Sequence, residues 1–168
     1  KGPYHVDALL RVPLLWRPAP SARIPPCTVQ APVGLVDLAP TFCTIAGVTP
    51  PGFMEGTPLP TVAGANRPPV LTTFDSQFAA VGMHLRTIFD GRYLCTMYER
   101  SDHRGGDFPF YWSVWGRGST VPRYAGDEGE LYDTDEDPLQ QHNLWLDPAR
   151  RRLRAALLAE LRARLPAM

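Results

Sequence analysis

The sequence lacks most of the features that announce a function. It has three cysteines, Cys27, Cys43 and Cys95, and no pair stands at C-x-x-C spacing. An odd, dispersed set does not build a disulfide framework or a zinc site, so all three read as buried thiols. No charge of one sign dominates: 17 basic residues balance 17 acidic ones. That balance removes the electrostatic footprint expected of a nucleic-acid or anionic-membrane binder. No apolar run approaches the ~18 residues of a membrane span. There is no G-x-S-x-G elbow and no phosphate-cradling glycine loop. His5, His84, His103 and His142 are scattered, with no i, i+4 pair and no H-E-x-x-H, so histidines alone predict no metal site. An initiator Met and a targeting leader are also missing, and the opening "KGPYHVDALLRVPLLWRP" reads like the interior of a longer sequence.

What is present divides the chain. Proline reaches 19 of 168 residues, against roughly 5% in average usage, and the excess sits in residues 13–70. That half is expected to be rich in loops. Within it, "LLRVPLLWR" (9–17) predicts an edge strand interrupted by Pro13. "DLAPTFCTIAG" predicts a helix over 38–46, with Asp37 as N-cap, Pro40 in the first turn and Gly47 beyond the end. One further helical turn is expected near 59–63.

The texture then changes. "VLTTFD" (70–75), "HLRTIFD" (84–90), "RYLCTMYE" (92–99) and "GELYDT" (129–134) are β-branched and aromatic runs. Asp90-Gly91 between two of them predicts a type I′ hairpin turn. Asp147-Pro148 opens a helix in which Leu153, Leu157, Leu161 and Leu165 recur every four residues and arginines fill the other faces. The fold class that follows is α+β: a small antiparallel sheet of about four strands covered by a C-terminal helix. Residues 1–66 form one unit, whose strand and helix cannot bury themselves alone, and residues 67–168 form the other.

Two stretches invite chemical readings. Asp133, Asp135 and Asp137 have the odd spacing of a calcium loop, but Pro138 replaces the required glycine and Leu144 the bidentate acid. A solvated turn, facing the arginines of the last helix, is the expectation. Residues 101–126 are longer than an ordinary hairpin loop and carry Phe108, Phe110, Tyr111, Trp112, Trp115 and Tyr124 among charges and glycines. Aromatics interspersed with His103, Arg104 and Asp107 suit the wall of a binding site; a flap packed on the sheet is the competing reading.

Taken together, these strings resemble the sulfatase family of the alkaline-phosphatase-like superfamily. "KGPYHVDALLRVPLLWR" is similar to the family's Lys-Gly segment, "VDLAPTFCTIAG" to its "vDLAPTlldlaG" helix, "MEGTPLP" to its "G-x-S-L" segment, and "GELYDTDEDPLQQHNLWLDP" to its "ELYDLxxDPxExxNL" signature. The matches run in order across nearly the whole chain, with only strand pattern and "LRTIFDGRYLC" agreeing over 70–126.

The resemblance implies the last third of a sulfuric ester hydrolase. Residues 1–66 would be the tail of the large catalytic domain, and 67–168 the C-terminal subdomain. Lys1 matches the lysine that contacts a sulfate oxygen, a task suited to a compact point charge. His103, Arg104 and Trp112 would line the substrate cleft.

The family's formylglycine arises from a C-x-P-x-R motif, which none of "CTVQA", "CTIAG" and "CTMYE" contains. Its metal-ligand aspartates are missing as well. The chain is therefore expected to hold no metal or cofactor itself and to be inactive alone, while the parent uses a divalent cation, calcium, with formylglycine. The implied partners are the rest of the catalytic domain and a small sulfated substrate, with no nucleic acid and no membrane. Orphaned apolar faces predict self-association. The alternatives are the tail of a phosphonate or phosphodiester hydrolase of the same superfamily, and a non-catalytic binding or regulatory domain.

Overall fold

The computed structural model describes residues 5–75, 84–100 and 124–165. They divide into two compact units. One combines the N-terminal residues up to Leu10 with 71–88 and the chain from Arg92 onward; the other comprises 11–70 with 89–91.

The first unit is built on a four-stranded antiparallel sheet in the order β1 (Val70–Asp75), β2 (His84–Phe89), β3 (Tyr93–Tyr98), β4 (Gly129–Asp133). All four strands fall where side-chain texture places them. β3 and β4 pair with Cys95 opposite Leu131 and Tyr93 opposite Asp133. The hairpin between β2 and β3 forms at Asp90-Gly91, but not as a type I′ turn. Three residues separate the strands, and of Asp90 and Gly91 only Gly91 has positive φ, at 109°. A type I′ turn needs both.

Alternation along the strands sends Ile88, Tyr93, Cys95, Met97 and Leu131 to one face. The helix α3 (Arg151–Arg164) lies on that face. Leu157 and Leu161 are buried with Ile88, Cys95, Leu131 and Trp145, while Leu153, Leu158 and Leu165 pack around them. The four-residue leucine spacing therefore does what it predicts. A 3-10 turn, Pro148–Arg150, leads into the helix, and the Asp147 carboxylate caps it by accepting from the Ala149 N–H at 2.9 Å. Arg154 lies over the Trp145 ring at 4.8 Å and donates to its carbonyl.

The turn after β4 is held by side chains of the "ELYDTDEDPLQQHNL" string. Asn143 Oδ1 accepts from the N–H groups of Leu131 and Trp145, at 3.0 and 2.9 Å. Asp133 is paired with Arg92, whose Nε and Nη2 donate to its two oxygens at 2.9 and 2.6 Å. The acidic turn thus faces an arginine from the β2–β3 hairpin. The expected partners, the arginines of the last helix, are not its ion-pair partners among the described residues.

The second unit is organised by one carboxylate. Asp37 closes a 3-10 turn (Leu35–Asp37) that runs into α2 (Leu38–Ile45). Its side chain does not cap α2, as the sequence suggests. It reaches outward, accepting from the N–H groups of Gly34 and Thr57 at 2.9 and 2.8 Å and pairing with Arg67 at 2.8 Å. One turn later Thr41 Oγ1 donates to the Asp37 carbonyl and accepts from the Leu59 N–H. The "EGTPL" segment is thereby wrapped on the start of α2. Gly56 has φ +87°, and a Cβ there would lie 2.5 Å from the Val36 carbonyl oxygen, so only glycine permits the approach.

Three local expectations are corrected. No strand forms over 9–17: Asp7–Leu10 is a single helical turn, α1, and 11–17 has no regular structure. A strand exists only through a bonded neighbour, and Pro13 removes one donor from this run. No helix forms near 59–63: the chain bends at 61–62 and turns at 63–64. Of the cysteines, Cys95 is buried while Cys27 is exposed, and all three are free.

Leu161 is fully enclosed. Leu161→Ala is expected to lower unfolding free energy by about 2–5 kcal/mol, the range for a truncated core leucine. Leu139→Ala, at an exposed site, should stay within about 0.5 kcal/mol. Urea denaturation of the two variants checks the contrast.

Candidate functional site

The residues with chemical potential gather on β2 and β3. On the α3 face, beyond the apolar core, the sheet ends in charges. Asp75 closes β1, His84 opens β2 and Glu99 follows β3, so three strand ends meet. Their ligating atoms lie within 4.8 Å of one another, the geometry of a cation site. A cation is already there. Arg86, nearly buried, places Nη2 at 2.7 Å from Asp75 and 3.0 Å from Glu99, and Asp75 also bonds His84 Nδ1 at 2.7 Å. The Arg86 and His84 hydrogen bonds hold the Asp75 carboxyl below its ordinary range. The arrangement is an Arg-centred network at the end of the sheet where β1 and β3 finish and β2 begins.

The opposite face carries a second polar group. Thr87 and Thr96, adjacent across β2 and β3 and both buried, bond through their hydroxyls at 2.7 Å. His5 meets Thr87 with Nδ1 at 2.6 Å and is itself only 6% exposed. Burial, and then the Arg86 charge, push the His5 imidazole below its ordinary pKa. Farther along this face, Tyr98 donates to Glu130 at 2.5 Å and takes the Tyr124 ring edge-on at 4.7 Å. Burial and Glu130 raise the Tyr98 phenol above its usual range.

Lys1, His103, Arg104 and Trp112, the residues that sequence and resemblance single out, lie outside the described residues. The motif strings are described, and they build structure. Asp37 and Thr41 tie α2 to Gly56–Leu59, and Asp133 and Asn143 fix the turn after β4. Sequence reasoning missed the two polar groups on β2. The alternation in "HLRTIF" was legible as a strand, but nothing in it says that Arg86 and Thr87 are both enclosed.

The fold matches solved sulfatases over about three quarters of the chain. One, described as a putative sulfatase from Bacteroides thetaiotaomicron, shares 28% identity at TM-score 0.52 over 76% of this chain. A second, a 2-O GAG sulfatase, shares 27% at TM-score 0.53 over the same fraction. In fold, this chain is similar to the C-terminal part of a sulfatase. A third structure, solved in complex with its substrate D-glucosamine-2-N,6-O-disulfate, agrees in fold at TM-score 0.51 and 18% identity. The chain spans about a quarter of these sulfatases: 23%, 23% and 22% of their lengths. No protein-family model and no curated protein matches it.

Three carboxylates of the sheet are paired with arginine: Asp75 and Glu99 with Arg86, and Asp133 with Arg92. Asp133 is held at about 2 by its Arg92 bonds, with backbone N–H groups assisting. Its folded pKa lies below the unfolded value, so its contribution is complete above about pH 4 and drains away as pH falls toward 2. His5 is also depressed, so stability should start to fall earlier, as pH drops through about 6.5 and the unfolded imidazole takes up a proton. Melting temperature against pH should therefore decline in two stages. Asp133→Asn should flatten the lower stage, and His5→Gln the upper one.

Proposed function

We propose that this chain is the C-terminal portion of an enzyme that hydrolyses sulfate esters. The observation that carries this reading is the fold likeness to sulfatases at 27–28% identity. It coincides with the ordered motif strings, whose residues hold the described fold. In this reading Lys1 reaches a sulfate oxygen and offsets negative charge as the ester bond breaks. Fixed positive charge at that point is the usual way to stabilise such a transition state. The nucleophile, a formylglycine, and the divalent cation, calcium, belong to the remainder of the enzyme. The described carboxylates do not fit the cation: Asp75 and Glu99 are bridged by Arg86, and Asp133 by Arg92.

The remainder of the catalytic domain is also the partner that this reading assigns to the apolar surface of the second unit. Leu15 is 98% exposed, and Leu35, Phe42, Ile45 and Phe53 are more than half exposed. An exposed set of this size is an interaction surface waiting for cover, and self-association is expected when the chain is isolated. His103, Arg104 and Trp112 contribute a wall of the cleft, with an arginine for anionic groups and an indole for stacking on a ring. A sulfated sugar is the substrate class that the likeness to a 2-O GAG sulfatase favours.

The isolated chain is expected to turn over no chromogenic aryl sulfate, even with added calcium, because the ~8–23 kcal/mol of barrier lowering typical of enzymes has no source in it. Sustained turnover by a highly purified sample would overturn the reading. In the intact enzyme, Arg104→Ala and Trp112→Ala are expected to alter relative rates across sulfated substrates several-fold while melting temperature stays within about two degrees. Loss of stability with unchanged rate ratios would make residues 101–123 a packing flap.

A further inference from the structure

We propose that residues 5–10 form a strap on the sheet that mild acid releases while the sheet itself stays folded.

Little apolar contact docks the strap. Of residues 5–10 only His5 is buried. Helix α1 buries none of its residues, and Leu9 is 43% exposed. What holds the strap is polar. His5 Nδ1 lies 2.6 Å from Thr87 Oγ1, which lies 2.7 Å from Thr96 Oγ1, and all three residues are enclosed. The second tether is the Asp7 N–H, which donates to Gln140 Oε1 at 2.6 Å. That tether is imperfect. Gln140 takes φ +53°, which L side chains seldom adopt, and its Nε2 is buried with no hydrogen-bond partner among the described residues. Both tethers lie within the sheet unit.

A docked strap therefore requires a neutral imidazole. Protonation of His5 would bring a charge into an enclosed site. The charge that bears on it is that of Arg86, next to Thr87 on β2, and it has the same sign. Arg86 is itself paired with Asp75 at the end of β1 and Glu99 beyond β3, and Asp75 also binds His84. From β3 comes uncharged Thr96, and opposite it on β4 stands Glu130, whose carboxylate accepts from the Tyr98 hydroxyl. Within the strap Asp7 is the other ionisable group. Among the described residues no carboxylate offsets the penalty: burial and Arg86 both push the His5 imidazole below its ordinary pKa.

The docked pKa lies below the released one. The contribution of His5 to docking is thus complete above about pH 6.5 and drains away as pH falls below it. The core under α3, built from Ile88, Cys95, Leu131, Trp145, Leu157 and Leu161, holds no group that gains a proton between about pH 7.5 and 5.5. The strap goes first, and its release uncovers the hydroxyls of Thr87 and Thr96.

Amide hydrogen exchange of the full chain, followed by NMR at about pH 7.5 and 5.5 and corrected for intrinsic exchange rates, tests this. The Asp7 N–H is the reporter, because its bond to Gln140 exists only while the strap is docked. Its protection is expected to fall by about threefold or more at the lower pH, while the Cys95 and Leu161 amides keep theirs. His5→Gln should give Asp7 the same protection at both pH values, with His5→Asn as the second variant should the first fold poorly. His84→Gln and His142→Gln should leave the loss intact. The proposal is overturned if Asp7 is unprotected at the higher pH, if its protection does not change with pH, or if Cys95 and Leu161 lose protection in step with it. It is equally overturned if the loss survives in the His5 variants, or vanishes in His84→Gln or His142→Gln.

Discussion

Four consecutive residues of β2, Leu85 to Ile88, are buried. In a strand whose side chains alternate, that is possible only when both faces of the sheet are covered. The arrangement of the first unit follows from this constraint. Ile88 takes its cover from the far C-terminus, through Leu157 and Leu161 of α3. Thr87 takes its partner from the far N-terminus, through His5. His5 and α3 meet the sheet on opposite faces, which is how β2 comes to be enclosed on both.

Burial of polar groups then dictates the local chemistry. Arg86 and Thr87 cannot be enclosed without partners, since an unpaired buried polar group costs more than a bond returns. Arg86 gathers Asp75 and Glu99, and Thr87 gathers Thr96 and His5. Asp37 obeys the same rule in the second unit. A buried carboxylate draws two backbone N–H groups and Arg67 around itself, and the prolines and glycine of 56–60 are bent to deliver one of them. Removing one member of such a pair leaves the other charge stranded, a loss of about 3–5 kcal/mol for fully enclosed pairs. This explains why the strings that carry the sulfatase resemblance are rich in Asp, Asn and Thr yet contribute structure.

The resemblance and the fold agree, but each carries a different part of the functional reading. The fold likeness speaks for a sulfatase C-terminal part spanning about a quarter of the relatives' length. The roles of Lys1, His103, Arg104 and Trp112 come from the resemblance and from residue chemistry.

The sequence by itself determined the four strands, the hairpin site, helix α2 and the leucine-spaced helix α3, because each has a period or a cap that operates within a few residues. Asp147 and Pro148 start α3 wherever that helix packs. The sequence also argues against a calcium loop at Asp133, where a proline stands at the glycine position. Only the tertiary structure decided what the long-range partners are. The apolar run at 9–17 looked like a strand because apolar content is visible in a string, whereas the neighbouring strand it would need is not. Asp37 looked like a cap because its nearest N–H groups are local, yet Thr57 and Arg67 arrive from 20 and 30 positions away and win the carboxylate. His5 and Thr87 are 82 residues apart. No pattern in the string joins them, because what joins them is the closing of the sheet's second face.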